Sequence, residues 1–310
     1  MKKFITMDLF IRCTRAYSLP MSVMAWIIPF VFGVFAKGNI LYGLLALIGI
    51  AFAHLGSNMF DDFIDYKRHL KENNQLQKGK CSYFLNNELS QKKFFIIMVI
   101  CFVVALAAGL FFIFVYKFPI AILMAVAGAL CLIYPRSSYF GVGELIIGVI
   151  FSPLAFTGVY YVMAQSYSLP LLWLSIPFAI MVVALLYAHS FLDFNYDVSD
   201  GKKTLCVLCG NKEEAYRLLV FLIITAYFLI FAGVTLYILP PVYFLTYLSG
   251  FWAMKLFKGL QNYIDKEPCN EKEFLEVFNK AQALTVVFTL LVILCSVLST
   301  AHVELLRTLN

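Results

Sequence analysis

Apolar residues in this chain run in blocks long enough to cross a hydrocarbon layer, and that feature removes most architectures open to 310 residues. A hydrocarbon core is about 30 Å thick, so a helix needs roughly 20 apolar residues to cross it. Nine such blocks can be read, approximately 16–36, 39–60, 94–115, 118–134, 142–164, 170–192, 215–238, 240–257 and 279–301. In lipid every backbone N–H and C=O needs an internal partner, so each block is expected to be a helix. No apolar–polar alternation of the β-barrel kind is present. The composition agrees: 62% of residues are hydrophobic and 14% charged, whereas a soluble domain is about a quarter charged. The expected fold class is therefore all-α and integral to the membrane, with nine transmembrane helices in one domain over residues 1–310. The N-terminal MKKFITMDLFIRCTRAYSLP has basic residues ahead of an apolar stretch but no small-residue cleavage site, so it reads as an uncleaved first helix.

Charge placement sets the orientation. With the N-terminus inside, 21 of the 24 basic residues fall on inner segments and only Lys37, Lys117 and Arg307 on outer ones. The positive-inside rule then places the N-terminus in the cytoplasm of a multi-pass protein of the cell membrane. The net charge of +6 follows from this topology, so no nucleic-acid partner is implied; membrane lipids and an anionic substrate are. Inner loops, especially 61–93, 193–214 and 258–278, are longer than outer ones, so chemistry on a charged group should open to the cytoplasm. The Cys206-x-x-Cys209 pair lacks the second pair or nearby histidines that zinc would need.

Two inner helix ends, those of the second and sixth blocks, carry acidic clusters followed by basic loops. The first holds Asn58, Asp61, Asp62 and Asp65, at i, i+3, i+4 and i+7, on one helical face. Carboxylates stacked that closely repel one another unless a cation offsets them, and oxygen-only donors favour magnesium. The second places His189, Asp193 and Asp197 one turn apart, with Gly201 available to end the helix before Lys202 and Lys203. Acids at a helix C-terminus oppose the macrodipole, so meeting this arrangement twice on one membrane side points to function. Magnesium keeps several waters and is completed by phosphate oxygens. Two such clusters ringed by Lys and Arg suit a diphosphate whose tail lies in lipid, and isoprenyl diphosphates match that description.

These residues resemble the UbiA superfamily of intramembrane prenyltransferases. Asn58, Asp61, Asp62 and Asp65 match its first motif, with Asp61 where Asn is commoner. Asp193, Asp197, Gly201, Lys202, Thr204 and Leu205 match its second. Arg15-Ala-Tyr-Ser-Leu-Pro20, Tyr134-Pro135 and Gly143-Glu144-Leu145 resemble the menaquinone branch, the 1,4-dihydroxy-2-naphthoate prenyltransferases. The positions before the second motif, commonly Asn-Asn-x-Arg in that branch, here read His189-Ser190-Phe191-Leu192. The resemblance implies nine helices around a central cavity, Mg2+ as cofactor, a polyprenyl diphosphate donor and an aromatic small-molecule acceptor. By position it implies Asn58, Asp62, Asp65, Asp193 and Asp197 as metal ligands, the four aspartates being the catalytic set, with Asp61 in support. Arg15, Lys67, Arg68, Lys80, Lys202, Lys203, Tyr134 and Arg136 are the substrate-side candidates, and His189 would orient an acceptor or bridge to Asp193.

Two other classes make different predictions. A transporter could use the acids as a cation path, but the acids cluster at one side and no broken-helix pair stands out. A phosphotransferase acting on CDP-linked lipids would carry an Asp-Gly-x-x-Ala-Arg signature, which is absent.

Overall fold

The computed structural model describes residues 6–72, 81–264 and 271–309, and among these residues every regular element is helical. Eight helical stretches are long and apolar enough to cross a membrane: 16–35, 40–71, 91–116, 118–137, 143–164, 169–192, 212–235 and 272–300. The expected span at 240–257 is helical as well, but in two parts. A 3-10 helix, Pro241–Ser249, leads into the α-helix Gly250–Gln261. Backbone angles remain right-handed helical across the junction, at Ser249 (φ −66°, ψ −15°) and Gly250 (φ −56°, ψ −26°). A 3-10 helix rises about 2.0 Å per residue against 1.5 Å in an α-helix, so this segment gains length from its tighter winding. Buried Thr246 and Ser249 hydroxyls donate to the carbonyls of Tyr243 and Thr246, and the Tyr243 and Ser296 hydroxyls meet at 2.8 Å.

The chain divides into two compact units, residues 1–23 with 41–136, and residues 24–40 with 137–310. The first contains helix α1 (Met7–Thr14), a 3-10 turn (Ala16–Ser18) and the start of α2 (Leu19–Phe35). It continues with α3 (Ile40–Glu72), the short α4 (Ser82–Leu85), α5 (Gln91–Tyr116) and α6 (Phe118–Ser137). Helix α1 is an addition to the nine-block reading. Thr6 caps it by accepting from Leu9 N at 3.2 Å, and the chain leaves it through Arg15 in the left-handed region (φ 52°, ψ 40°). Because Arg15 is not glycine, its backbone needs outside support. The unit's core gathers Leu9 and Cys13 of α1, Leu55, Met59 and Tyr66 of α3, Tyr83 and Phe84 of α4, and Phe94 and Met98 of α5.

In the second unit, α7 (Gly143–Val149), a π-helical turn (Ile150–Leu154) and α8 (Ala155–Ala164) form one membrane-crossing stretch. Pro153 lies in that turn, and Ser152 hydrogen-bonds to the Ser175 carbonyl from it. Proline lacks the N–H that a regular helical turn requires, which fits the local change in winding. The central helix is α9 (Leu169–Leu192), followed by α10 (Phe194–Ser199), α11 (Leu205–Leu208) and α12 (Lys212–Thr235). Then come the 3-10 segment with α13 (Gly250–Gln261), and α14 (Glu271–Leu309). Helix α9 packs against α7, α11, α12 and α14, burying Leu171, Leu174, Phe178, Met181, Val182 and Tyr187.

Candidate functional site

The first acidic motif does not end its helix. Helix α3 runs on to Glu72, so Asn58, Asp61, Asp62 and Asp65 sit in its interior, on the shared face that their spacing requires. Lying away from the helix end expected for them, these acids do not oppose the macrodipole at a C-terminus. A different conflict replaces it: Asp62 is 2% exposed, and a buried carboxylate needs compensation. Both of its oxygens are engaged. The Arg15 guanidinium ion-pairs with Oδ1 and reaches Asp61 Oδ2 at 3.2 Å. The Tyr83 hydroxyl donates to Oδ2 at 2.8 Å. Burial works against the Arg15 charge, but Asp62 and then Asp61 outweigh it and hold the guanidinium pKa well above its ordinary value. Tyr134 lies in the last turns of α6.

Tyr83 was not legible as a site residue. It lies on α4, in a stretch that reads as loop from sequence, and its ring stacks on Phe94 at 5.5 Å and meets Phe84 edge-on at 4.7 Å. Cys81, two residues before, directs its thiol to the Asp62 carbonyl at 3.4 Å. Burial, and then the Asp62 charge, push the Tyr83 hydroxyl pKa far above the ordinary tyrosine value, so it stays a donor. Replacing Tyr83 with Phe removes that donor while keeping the ring. A hydrogen bond to a charged group contributes about 1.5–3 kcal/mol, so thermal unfolding of the metal-free protein should shift down by a comparable amount.

In the second unit, α9 stops at Leu192 and Asp193 caps it, with α10 following, so Asp193 and Asp197 straddle a break between two helices. The helical backbone bond from Asp197 N to the Asp193 carbonyl, at 2.9 Å, nevertheless persists. His189 Nδ1 lies 3.1 Å from Asp193 Oδ2, with Phe274 and Phe278 edge-on at 5.3 Å on its ring. Lys202 Nζ lies 3.4 Å from Asp197 and 3.7 Å from Asp200. Gly201, at φ +69°, supplies the left-handed turn that brings Lys202 back to Asp197, whose carbonyl accepts from Lys202 N at 2.9 Å. Buried Glu144, at the start of α7, accepts from the Ser190 hydroxyl at 3.2 Å and from Leu205 N at 3.5 Å, tying the following loop to α9.

Burial raises the Asp197 carboxyl to about 6 from 3.8, with Lys202 opposing the rise and Asp193 adding to it. A raised folded pKa means that the native state holds more protons than the unfolded chain between these two values. Stability is then highest below about 3.8 and falls as pH rises through about 6, by about 3 kcal/mol from this group. Metal-free protein should therefore unfold at progressively lower temperature from pH 5 to pH 7. An Asp197→Asn variant, which mimics the protonated form, should show a flatter profile over the same range. Equal slopes in the two proteins would rule out the assignment.

The remaining candidates divide. Lys67 is exposed and bonds Gln91 at 3.0 Å, leaving it turned toward α5 rather than toward the acids. Arg136 is exposed in the last turn of α6, and Lys203 is exposed with its N–H on the Ser138 carbonyl. Arg68 follows the first motif on α3, half-buried. Lys80 lies outside the described residues. Cys206 sits on α11 and Cys209 caps it, with the Cys209 thiol 3.3 Å from the Tyr187 hydroxyl, and Cys81 belongs to the first unit's core. Among the described residues no three His, Cys, Asp or Glu side chains form a preformed metal cage.

A membrane-crossing helical chain with an oxygen-rich motif at α3 and a second at the α9–α10 break, each holding an internal cation, is a membrane protein built around acidic sites. The UbiA prenyltransferase family model matches residues 19–279, and the chain belongs to that family. It is 31% identical over 143 residues to the 2-carboxy-1,4-naphthoquinone phytyltransferase of Synechocystis sp., an alignment that spans 46% of each chain. It is 23% identical over 253 residues to the 1,4-dihydroxy-2-naphthoate octaprenyltransferase of Bacillus subtilis, spanning 80% of each. In fold it is similar to a UbiA homolog from Aeropyrum pernix K1, with TM-score 0.67 and 14% identity over 89% of this chain and 98% of that one. A UbiA homolog from Archaeoglobus fulgidus bound to GPP and Mg2+ aligns with TM-score 0.56 and 14% identity, over 92% and 99%.

Proposed function

We propose that this chain is a magnesium-dependent prenyltransferase. It would move the prenyl group of a polyprenyl diphosphate onto an aromatic acceptor of the 1,4-dihydroxy-2-naphthoate kind, as a step in menaquinone or related quinone synthesis. The observation that carries this reading is that each acidic motif already holds a protein cation, Arg15 on Asp61 and Asp62, and Lys202 on Asp197. Those guanidinium and ammonium groups stand in for positive charge that the oxygen donors require, so the residues fit a hard cation. The names of the curated relatives support a naphthoate-type acceptor, and the ligands of the Archaeoglobus structure support a prenyl diphosphate with magnesium.

Asn58, Asp62 and Asp65 would hold metal at the first motif and Asp193 and Asp197 at the second; bound metal would neutralise and stabilise the departing diphosphate. The chain's own residues do the rest. Arg15 and Lys202 supply cationic donors beside the acids, Asp61 shares Arg15, and His189 fixes the Asp193 carboxylate in orientation. The allylic C–O bond breaks toward diphosphate, a carbon of the electron-rich ring captures the carbocation, and the group displaced from that carbon, a proton or a carboxylate leaving as CO2, departs to restore the aromatic ring. The apolar spans bury the prenyl tail, and the N-terminus and motif loops face the cytoplasm of the cell membrane.

The test is purified protein in lipid nanodiscs, incubated with labelled polyprenyl diphosphate and a panel of aromatic acceptors, with and without Mg2+. Prenylated naphthoate with release of diphosphate, lost on chelation, is the expected result. Magnesium-independent solute flux with no diphosphate release would support a transporter and overturn the enzyme.

A further inference from the structure

Asn58, the first residue of the first motif, is held from outside its own helix. Its Nδ2 donates to the Ser18 hydroxyl at 3.0 Å and to the Thr14 carbonyl at 3.4 Å. Because both bonds use nitrogen, the amide oxygen is the atom turned away from Ser18 and Thr14. Ser18 in turn contacts His54 Nε2 at 3.1 Å, and His54 Nδ1 meets the buried Ser22 hydroxyl at 2.7 Å. His54 is one helical turn before Asn58 on α3.

Proton accounting fixes the direction of every bond in this chain. Ser18 has one hydroxyl proton, and it goes to the Arg15 carbonyl at 2.8 Å. His54 Nε2 must therefore carry the hydrogen that it shares with Ser18. In the neutral ring Nδ1 is then bare and accepts from Ser22, which is the Nε2–H tautomer. Ser18 Oγ accepts from both His54 and Asn58, which fills its two lone pairs. The Arg15 carbonyl accepts from Ser18 N as well, at 2.9 Å. That pair of bonds supports the left-handed Arg15 backbone from which the guanidinium reaches Asp61 and Asp62.

We propose that His54 and Ser18 are positioning residues for the first motif: the imidazole orients the Ser18 hydroxyl, which aims the Asn58 amide oxygen and fixes the Arg15 turn. The proposal rests on the reading of Asn58 as a metal ligand. Outer hydrogen-bond partners of ligand side chains typically set metal affinity by about 10–100-fold. A glutamine at 54 places an amide nitrogen near the imidazole Nε2 position and keeps the donor to Ser18. An asparagine reaches only the Nδ1 position and keeps the contact with Ser22 alone.

The experiment is a Mg2+ titration of the full chain in nanodiscs without substrate, read as the shift in unfolding temperature. His54→Asn and Ser18→Ala should each raise the Mg2+ midpoint by about tenfold or more, while His54→Gln restores most of the affinity. Asn58→Ala should raise it at least as far. If Asn58→Ala moves the midpoint while His54→Asn and Ser18→Ala do not, the relay is overturned and the metal site stands. If Asn58→Ala leaves the midpoint in place, the ligand assignment fails and the relay falls with it. Equal shifts for His54→Gln and His54→Asn would also overturn the relay, because it depends on which end of residue 54 carries the donor. Ser18→Ala changes little volume, so it decides the matter should either His54 variant fail to fold.

Discussion

Replacing Asp62 with asparagine is expected to lower turnover by at least about 10²–10³-fold, the usual consequence of removing one charged group that stabilises a transition state. The substitution keeps shape and removes charge, and the geometry makes the loss specific. Asp62 Oδ1 faces the Arg15 guanidinium and Oδ2 faces the Tyr83 hydroxyl, so each oxygen meets a donor. An amide can present an acceptor to only one of them and sets its own N–H₂ against the other. Arg15 would keep Asp61 at 3.2 Å, so the fold retains a partner for the guanidinium while the motif loses its most buried carboxylate. The measurement is release of labelled diphosphate in nanodiscs, beside an Asp8→Asn control. Asp8 sits on the same unit in an exposed pair with Arg12, 75% exposed, and its loss should leave turnover in place. Activity within about tenfold of wild type in Asp62→Asn would remove Asp62 from the site.

The contrast between Asp62 and Tyr83 shows what a single sequence exposes. Asp62 announces itself because its neighbours at i−4, i−1 and i+3 are Asn58, Asp61 and Asp65, a local periodicity that a helix turns into one face. Membrane helices are legible for the same reason: backbone satisfaction inside lipid is a local demand that any sufficiently long apolar run must meet by itself. Tyr83 gives no such signal. Its role depends on α4 folding back so that a residue 21 positions downstream reaches Asp62, and nothing in the intervening sequence has a period that reports it. Arg15 stood between these extremes, visible as a basic residue ahead of a span. Its contact 47 positions away required a left-handed backbone residue that no glycine advertised. At the second motif the Gly201 turn was readable from residue type alone. The break at Asp193 was not, because residues 189–200 contain neither proline nor glycine. The 3-10 winding of 241–249 falls in the same category: Pro240–Pro241 marks a start, but the tight winding is accompanied by tertiary contacts such as Tyr243 with Ser296.

Replacing Arg15 with methionine should make the protein's stability depend on magnesium. Methionine retains much of the apolar stem and removes the charge, so the variant isolates the role of the cation. In the metal-free protein the Arg15 side chain, 22% exposed, sits between the Asp61 side chain at 13% and the Asp62 side chain at 3%. Breaking a buried pair from one side leaves an uncompensated charge and costs about 3–5 kcal/mol. In chelator the variant should therefore unfold well below wild type. Bound Mg2+ can replace the missing charge, and a ligand at a hundred times its dissociation constant stabilises by about 2.7 kcal/mol. Wild type gains less, because there the metal must compete with Arg15 for the same oxygens. The decisive quantity is thus the difference between the two Mg2+-induced shifts in unfolding temperature, which should be larger in Arg15→Met. Equal shifts would mean that Arg15 and magnesium do not share a site, and would separate the guanidinium's structural role from the motif's chemistry. A larger shift combined with reduced turnover would mean that Arg15 serves twice, as the resident counter-ion before metal arrives and as a donor to diphosphate afterwards.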